Sequence, residues 1–264
     1  MEIIYRRINY SEFKSIRLRP IFDVHLGNKL ADEAAFKSFI SCKDDNLFYI
    51  GGGDIVDAIG TKDPRYSKAI DKTKSSAIID DQIEMACDLL TPIKDKFIGY
   101  GTGNHEETIL KHSGTNPTKR ICKALGLTYA GYSCYYKLVL TKGGHGGRTV
   151  RIRAHHGHGA GRTGGASLTR YEKDLKSYDA DLFLFGHSHG KVFKAYPQLS
   201  VSGKSNFIAK ERYIIECGTF LKTLEEGTTS YAEVANYLPT TLGGFEITIT
   251  PQSSGRFKIK VMEV

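Results

Sequence analysis

Seven of the chain's nine histidines fall in four short motifs: FDVHLG with His25, GTGNHEE with His105, RAHHGHG with His155, His156 and His158, and FGHSHG with His187 and His189. A fifth motif, GGGDIVDA, carries Asp54 and Asp57. Imidazole, carboxylate and amide oxygen together suit divalent transition metals, and histidine is the commonest of these ligands. Glycine beside them permits sharp turns and close backbone approach. Taken singly, D-x-H and G-D-x-x-D have ordinary structural explanations, since Gly-Asp is a common turn pair. G-N-H-E is sharper, because a turn asparagine and a helix-start glutamate leave its histidine unexplained. G-H-S-H is sharper still, because its histidines lie at i and i+2 behind a buried strand and point to the same side.

Each motif must be delivered by an element. The sequence predicts strands at IRLRPIF (16–22), NLFYIG (46–51), KFIGYG (96–101), RTVRIRAHH, DLFLF and RYIIEC. Helices are predicted at KLADEAAFKSFI (29–40) and SLTRYEKDLKSY, and over IIDDQIEMACDLLTPI, where Ile79, Ile83, Ala86, Leu90 and Ile93 form one apolar face. Asn116 before Pro117 marks a helix start and Gly126 its stop. CYYKLVL and RTVRIRAHH flank the glycine-rich KGGHGGR as a hairpin, and FEITIT with RFKIKVMEV forms another. Five strand ends therefore carry the metal-capable residues, which is where ligands bind in open α/β sheets.

Composition sets the frame. With 264 residues, 40% hydrophobic and 25% charged, the chain can bury the core of one large domain, taken as 1–264. It contains no apolar run long enough to span a membrane, and MEIIYRRINY lacks the apolar stretch of a secretory signal. The five cysteines, Cys42, Cys87, Cys122, Cys134 and Cys217, show no C-x-x-C spacing and fit free thiols in a reducing, cytoplasmic setting. The net charge of +8 permits a polyanionic partner such as nucleic acid, and equally a merely soluble basic surface.

The ordered set D-x-H, G-D-x-x-D, G-N-H-E, H-H-G, G-H-S-H resembles the calcineurin-like metallophosphoesterase superfamily from Asp23 to His189, about two-thirds of the chain. GTF at 218–220 resembles the family's turn near the end of the domain. The resemblance implies an α/β fold, a four-layer α/β/β/α sandwich of two mixed sheets. It implies two divalent ions, with Mn²⁺ expected and Fe or Zn²⁺ as alternatives. Asp23, His25 and His189 would hold the first. Asn104, His187 and one histidine of the 155–156 pair would hold the second, and Asp54 would bridge them. Neighbouring strand residues face opposite ways, which together with the family's histidine-glycine pair favours His156 over His155. His105 would protonate the leaving group, with Asp57 as its carboxylate partner. Glu106 and Glu107 would sit in the first turn of the next helix.

These roles imply hydrolysis of a phosphate-ester substrate by a hydroxide shared between the two ions. The Ser/Thr phosphatase branch carries arginines after the second aspartate motif and before G-N-H-E, where this chain reads DAIG and YGTGNHEE. Phosphodiesterase or nuclease chemistry is therefore the primary expectation. A phosphomonoesterase acting on a nucleotide or small molecule is the alternative, and a catalytically silent binding module the third reading. HGHGAGRTGGASLTR (156–170), with Arg162 and Ser167, suggests a phosphate-receiving loop, and KDPRYSK (62–68) a basic, aromatic contact for a nucleic-acid strand.

Overall fold

The strand Leu182–Phe185 reads LFLF, and its alternation separates two cores. Leu182 and Leu184 face an apolar layer shared with Leu18, Ile50, Leu138, Ile152, Ile215 and Ile247. Phe183 and Phe185 face the other way, toward Tyr171 and Ile214. Successive strand side chains point to opposite faces, so a strand apolar throughout must be covered on both.

A computed structural model shows what covers it; it describes the chain except residues 42–43, 62, 64–65, 67–70, 74–75, 160–163, 202–205 and 253–255. The elements run β1 (Glu2–Asn9), β2 (Ile16–Ile21), α1 (Glu33–Ile40), β3 (Leu47–Gly52), α2 (Ile78–Leu90), β4 (Phe97–Gly101), α3 (Asn104–Ser113), α4 (Pro117–Leu125), β5 (Tyr129–Gly131), β6 (Ser133–Lys142), β7 (His145–His155), α5 (Gly164–Ser177), β8 (Leu182–Phe185), β9 (Lys191–Val201), β10 (Phe207–Cys217), α6 (Tyr231–Val234), β11 (Phe245–Pro251) and β12 (Phe257–Glu263). They form two six-stranded mixed sheets, ordered β1-β6-β7-β8-β10-β9 and β12-β11-β2-β3-β4-β5. The sheets pack face to face over the layer that holds Leu18 and Leu184. Phe36, Phe39, Ile83, Ala86, Leu90 and Ile121 bring α1, α2 and α4 onto the outer face of the second sheet. Tyr171 brings α5 onto the outer face of the first. The result is the expected four-layer α/β/β/α sandwich.

Several boundaries differ from the sequence reading, each for a local reason. The helix expected from residue 29 begins at Glu33, where the Asp32 side chain accepts from the Ala35 N–H at 2.9 Å. Just before it, the Asn28 side chain takes the Leu30 N–H at 2.9 Å, and Ala31 bridges to Leu221. β1 is an edge strand that buries only Ile4 and Ile8, too little apolar signal to stand out in a charged terminus. β9 and the outer half of β10 extend the last strand of the first sheet as a half-exposed hairpin. The helix from Pro117 to Leu125 lies where its signals put it, with Asn116 capping the Lys119 N–H and Gly126 at φ 71°. Cys87, Cys122, Cys134 and Cys217 are free thiols, while Cys42, Arg162 and much of KDPRYSK lie outside the described residues. Among the described residues no helix is long and apolar enough to cross a membrane.

Candidate metal centre

β2, β3 and β4 run parallel in one sheet, and β7, β8 and β10 run parallel in the other. Their carboxyl ends meet at one edge of the sandwich. Asp23 and His25 follow β2, Asp54 and Asp57 follow β3, Asn104 and His105 follow β4, His155 and His156 close β7, and His187 and His189 follow β8. The chain bends hard after each strand. Asp23, His25, Asp54, His187 and His189 have φ of 50°, 55°, 53°, 69° and 58°, and are five of the seven non-glycine residues described with left-handed backbone. This conformation costs about 1 kcal/mol or more per residue and persists only where surrounding bonds enforce it.

Those bonds are present. The His187 N–H donates to Asp23 Oδ2 at 2.9 Å, and the His105 N–H to Asp54 Oδ1 at 3.0 Å. The His25 N–H donates to the Asp54 carbonyl at 3.0 Å. The GTF turn after β10 joins in, since the Thr219 hydroxyl and the Phe220 N–H both donate to the Asp23 carbonyl, at 2.8 and 3.0 Å. Glycine is required where two of the motifs touch: a Cβ on Gly103 would lie 2.0 Å from Asp54 Oδ1, and one on Gly53 2.2 Å from the Gly103 nitrogen.

The side chains converge in two adjoining groups. Asp23, His25 and His189 form the first, with His25 Nε2 and His189 Nε2 3.1 Å apart. In the second, Asn104 Oδ1 lies 2.9 Å from His156 Nε2 and 2.7 Å from His187 Nδ1, and His156 Nε2 lies 3.2 Å from Asp54 Oδ2. Asp23 links the two, because it also groups with Asp54 and His156. Its Oδ1 is buried without a hydrogen-bond partner, facing imidazole nitrogens of His189 at 3.7 Å and of His25 and His156 at 4.0 Å. A buried carboxylate oxygen among nitrogens too distant to bond it is what a shared cation would satisfy, and the mixed N/O donor set suits Mn²⁺, Fe or Zn²⁺.

Electrostatics point the same way. Asp23, Asp54 and Glu106 are all essentially buried. Burial pushes the Asp23 pKa well above the carboxylate range, with His156 opposing and Asp54 reinforcing the shift. Burial also works against the charged form of Asp54, but His156 and His105 outweigh it and hold that pKa well below the usual range. Burial works equally against protonated His156, yet Asp54, Asp23 and Glu106 push its pKa up to about 10. His187 moves the other way, to about 4, through burial and the neighbouring His156. Burial thus disfavours charge on Asp23, His25 and His187, while the Asp54–His156 pair stays charged.

His156 and His155 part by strand phase. Val150, Ile152 and Ala154 of β7 face the inter-sheet core, and His156 continues that phase. Its Nδ1 meets the Gly52 carbonyl at 3.0 Å, an arrangement that turns Nε2 toward the cluster. His155 packs instead against Tyr132 and Phe185 and accepts the Gly157 N–H at 2.8 Å.

His105 lies beside His25 with ring centroids 4.7 Å apart. The expected carboxylate pairing with Asp57 takes another form. The main-chain carbonyl of Asp57 meets His105 Nδ1, while its carboxylate lies 3.3 Å from His25 Nδ1 and accepts from Asn28 Nδ2 at 3.3 Å. The left-handed turn at Asp54 and the Asp57 N–H bond to the Leu26 carbonyl carry this side chain across toward β2.

Glu106 stands in the first turn of α3 as expected, yet it is fully buried rather than merely paired with the helix dipole. Its carboxylate accepts from the N–H groups of Asp54 at 3.0 Å, Ile55 at 2.8 Å and Gly103 at 2.8 Å. Burial and the nearby Asp54 raise its pKa to about 7. Gln82 escapes the sequence reading too; it is buried within α2 and accepts the Ala58 N–H at 2.8 Å. Glu216 holds the G-H-S-H turn through the Ser188 hydroxyl at 2.7 Å.

Over this cluster opens a cavity of about 420 Å³. His25, Asp54, Asn104, His105, His187 and His189 line one side. The other side comes from Leu30 and Ile59 and from the segment after β10, through Leu221, Lys222, Thr223, Tyr237 and Thr240. Nothing periodic in the sequence marks that segment.

No protein-family model matches the chain, and no curated protein matches its sequence. Solved structures similar to it include calcineurin-like phosphoesterase YfkN from Bacillus subtilis, 11% identical over 94% of this chain and 90% of that one, with a TM-score of 0.44. A metallophosphoesterase from Sphaerobacter thermophilus is 15% identical over 94% and 88%, at 0.37. Vps29 complexed with Zn²⁺ from Entamoeba histolytica is 12% identical over 94% and 98%, at 0.36. The two-sheet α/β/β/α sandwich gathers D-x-H, G-D-x-x-D, G-N-H-E, H-H-G and G-H-S-H at one edge.

Proposed function

We propose that the chain is a binuclear metal-dependent phosphoesterase that cleaves phosphodiesters. The observation that carries this reading is the buried, partnerless Asp23 Oδ1 among three imidazole nitrogens, adjoining the Asn104–His156–His187–Asp54 group. Asp23, His25 and His189 would hold one ion, Asn104, His156 and His187 the other, with Asp54 between them. When bound, the ions supply positive charge for the phosphoryl oxygens and a nucleophile at neutral pH.

The chain's own residues do the rest. His105 stands at the cavity wall with Nδ1 fixed by the Asp57 carbonyl, so Nε2 is the nitrogen that would protonate a departing alkoxide. The Asp57 carboxylate orients His25. Among the described residues that line the cavity, Lys222 is the single lysine or arginine, and it lies 3.9 Å from Asp32 and 3.6 Å from Glu225. A diester carries one negative charge, and DAIG and YGTGNHEE stand where the Ser/Thr phosphatase branch has clamping arginines, which favours a diester over a dianionic monoester.

The test compares bis(p-nitrophenyl) phosphate with p-nitrophenyl phosphate, with Mn²⁺ and then with chelator, in the wild type, His187→Ala and His105→Ala. Mn²⁺-dependent diester cleavage that is lost in His187→Ala and only modestly reduced in His105→Ala supports the proposal. Preference for the monoester moves the assignment to a phosphomonoesterase. No turnover of either ester by Mn²⁺-loaded protein rejects it.

A further inference from the structure

The segment between β10 and β11 is an ordered wall facing the metal-ligating side chains. It is tied down at both ends, by the Ala31–Leu221 and Thr219–Gly243 bridges. The Lys222 N–H donates to the Leu30 carbonyl at 2.9 Å. Three of its hydroxyls bond within the wall: Thr223 Oγ1 and Thr240 Oγ1 lie 2.8 Å apart, the Thr240 N–H donates to Thr223 Oγ1 at 3.0 Å, and the Ser230 hydroxyl donates to the Thr223 carbonyl at 2.9 Å. What the wall can offer a ligand is shape and apolar surface, from Leu221, Ala232 and Tyr237, beside Leu30 and Ile59 from the facing loops. Apart from the imidazoles, Tyr237 is the one aromatic ring among the described lining residues, and it is partly exposed.

We propose that this wall selects the substrate, with Tyr237 receiving a planar ring carried by the retained alcohol of the ester, so that the site takes a small aryl or nucleoside phosphodiester rather than a polynucleotide. The proposal rests on the phosphodiesterase reading and names its substrate class. One magnitude supports it. The cavity, about 420 Å³, falls at the lower end of the range of small-ligand sites. The leaving group must sit at His105, so the ring on the wall belongs to the alcohol that stays on phosphorus.

The chain contains no tryptophan, so Tyr237→Trp introduces a single fluorophore at the wall. The probe is p-nitrobenzylphosphonate, which has a quenching ring and no bond to hydrolyse; methylphosphonate is the ring-free comparison. Tyr5→Trp, on the exposed strand β1, controls for collision and absorbance. In the Tyr237→Trp variant, saturable quenching by the ring-bearing probe and none by methylphosphonate is expected, with no saturable quenching in the Tyr5→Trp variant. Equal behaviour of the two variants overturns the proposal. In kinetics, Tyr237→Ala should raise KM for bis(p-nitrophenyl) phosphate about fivefold to tenfold, leave methyl p-nitrophenyl phosphate unchanged, and be rescued by Tyr237→Phe. An equal KM change for both esters overturns it, as does a single-stranded oligonucleotide cleaved with higher kcat/KM than the aryl diester. Saturable quenching in the Tyr237→Trp variant, with no turnover of any ester by the wild type, keeps the ring site and rejects the phosphodiesterase reading.

Discussion

The carboxylate of Glu106 receives the main-chain N–H of Asp54 at 3.0 Å. The N–H groups of Ile55 and Gly103 bond the same carboxylate, so one side chain clamps the G-D-x-x-D turn to the G-N-H-E turn. Glu106→Ala leaves these buried donors without their acceptor, at roughly 1–3 kcal/mol each before solvent enters. Glu106→Gln keeps one acceptor oxygen and should lose less. The expected order in both urea midpoint and Mn²⁺ affinity is wild type, Gln, Ala. Equal Mn²⁺ affinity in all three would remove Glu106 from the support of Asp54.

His105→Ala should show its effect through the leaving group. p-Nitrophenolate departs with little help, whereas an alkoxide needs a proton. The loss in kcat should therefore be modest for bis(p-nitrophenyl) phosphate and about 10²- to 10⁴-fold for a dialkyl or nucleoside diester, at unchanged metal content. A loss independent of leaving-group pKa would reject the acid role.

Asp57→Asn separates the two partners of that residue. The carboxylate lies at His25 Nδ1, and the main-chain carbonyl at His105. The variant keeps the carbonyl, so the leaving-group dependence should persist while Mn²⁺ affinity falls about 10- to 100-fold. Titration calorimetry together with the leaving-group series distinguishes these effects.

The two adjacent histidines should behave differently. His156→Ala should lower Mn²⁺ affinity and activity by more than about 100-fold, because Nε2 faces both Asp54 and Asn104. His155→Ala should keep both, losing about 1–2 kcal/mol of packing against Tyr132 and Phe185. The reverse pattern in metal analysis of the purified variants would reassign the ligand.

Mn²⁺ should also stabilise the fold, since it would neutralise carboxylates that the protein buries together. At about a thousandfold excess over its dissociation constant, a bound ion adds about 4 kcal/mol. A thermal midpoint that rises with Mn²⁺ and returns with chelator is the expected result. An unchanged midpoint would mean that Asp23 and Asp54 do not share a bound cation.

The histidines and aspartates were legible because strand ends announce themselves: a short apolar run, a glycine, then a polar residue that cannot continue the core. That His156 rather than His155 faces Asp54 and Asn104 was legible for the same reason, since β7 has a single inward phase that includes Ala154. Asp57 meets His105 Nδ1 through its main-chain carbonyl, while its carboxylate groups with both His25 and His105. Its distance along the chain from Asp54 brings it to His105, but spacing does not say whether carbonyl or carboxylate faces the ring. Glu106 fits a helix-dipole explanation so well that nothing local signals its burial; only the approach of β3 to β4 encloses it. β1 and β9, at the sheet edges, bury too few side chains to leave a period, and the cavity wall around Tyr237 is held by hydroxyl bonds that leave no pattern at all.

The left-handed turns at Asp23, His25, Asp54, His187 and His189 also limit how this site can change over generations. Asparagine, aspartate, histidine and glycine tolerate such backbone, whereas valine, isoleucine and threonine do not. Exchange among the first four keeps the backbone geometry, but at Asp23 and Asp54 the new side chain must still accept the His187 and His105 N–H groups. A lineage without metal-dependent chemistry would be expected to carry asparagine or glycine at the three histidines but an oxygen-bearing aspartate or asparagine at Asp23 and Asp54, so that the turns keep their acceptors.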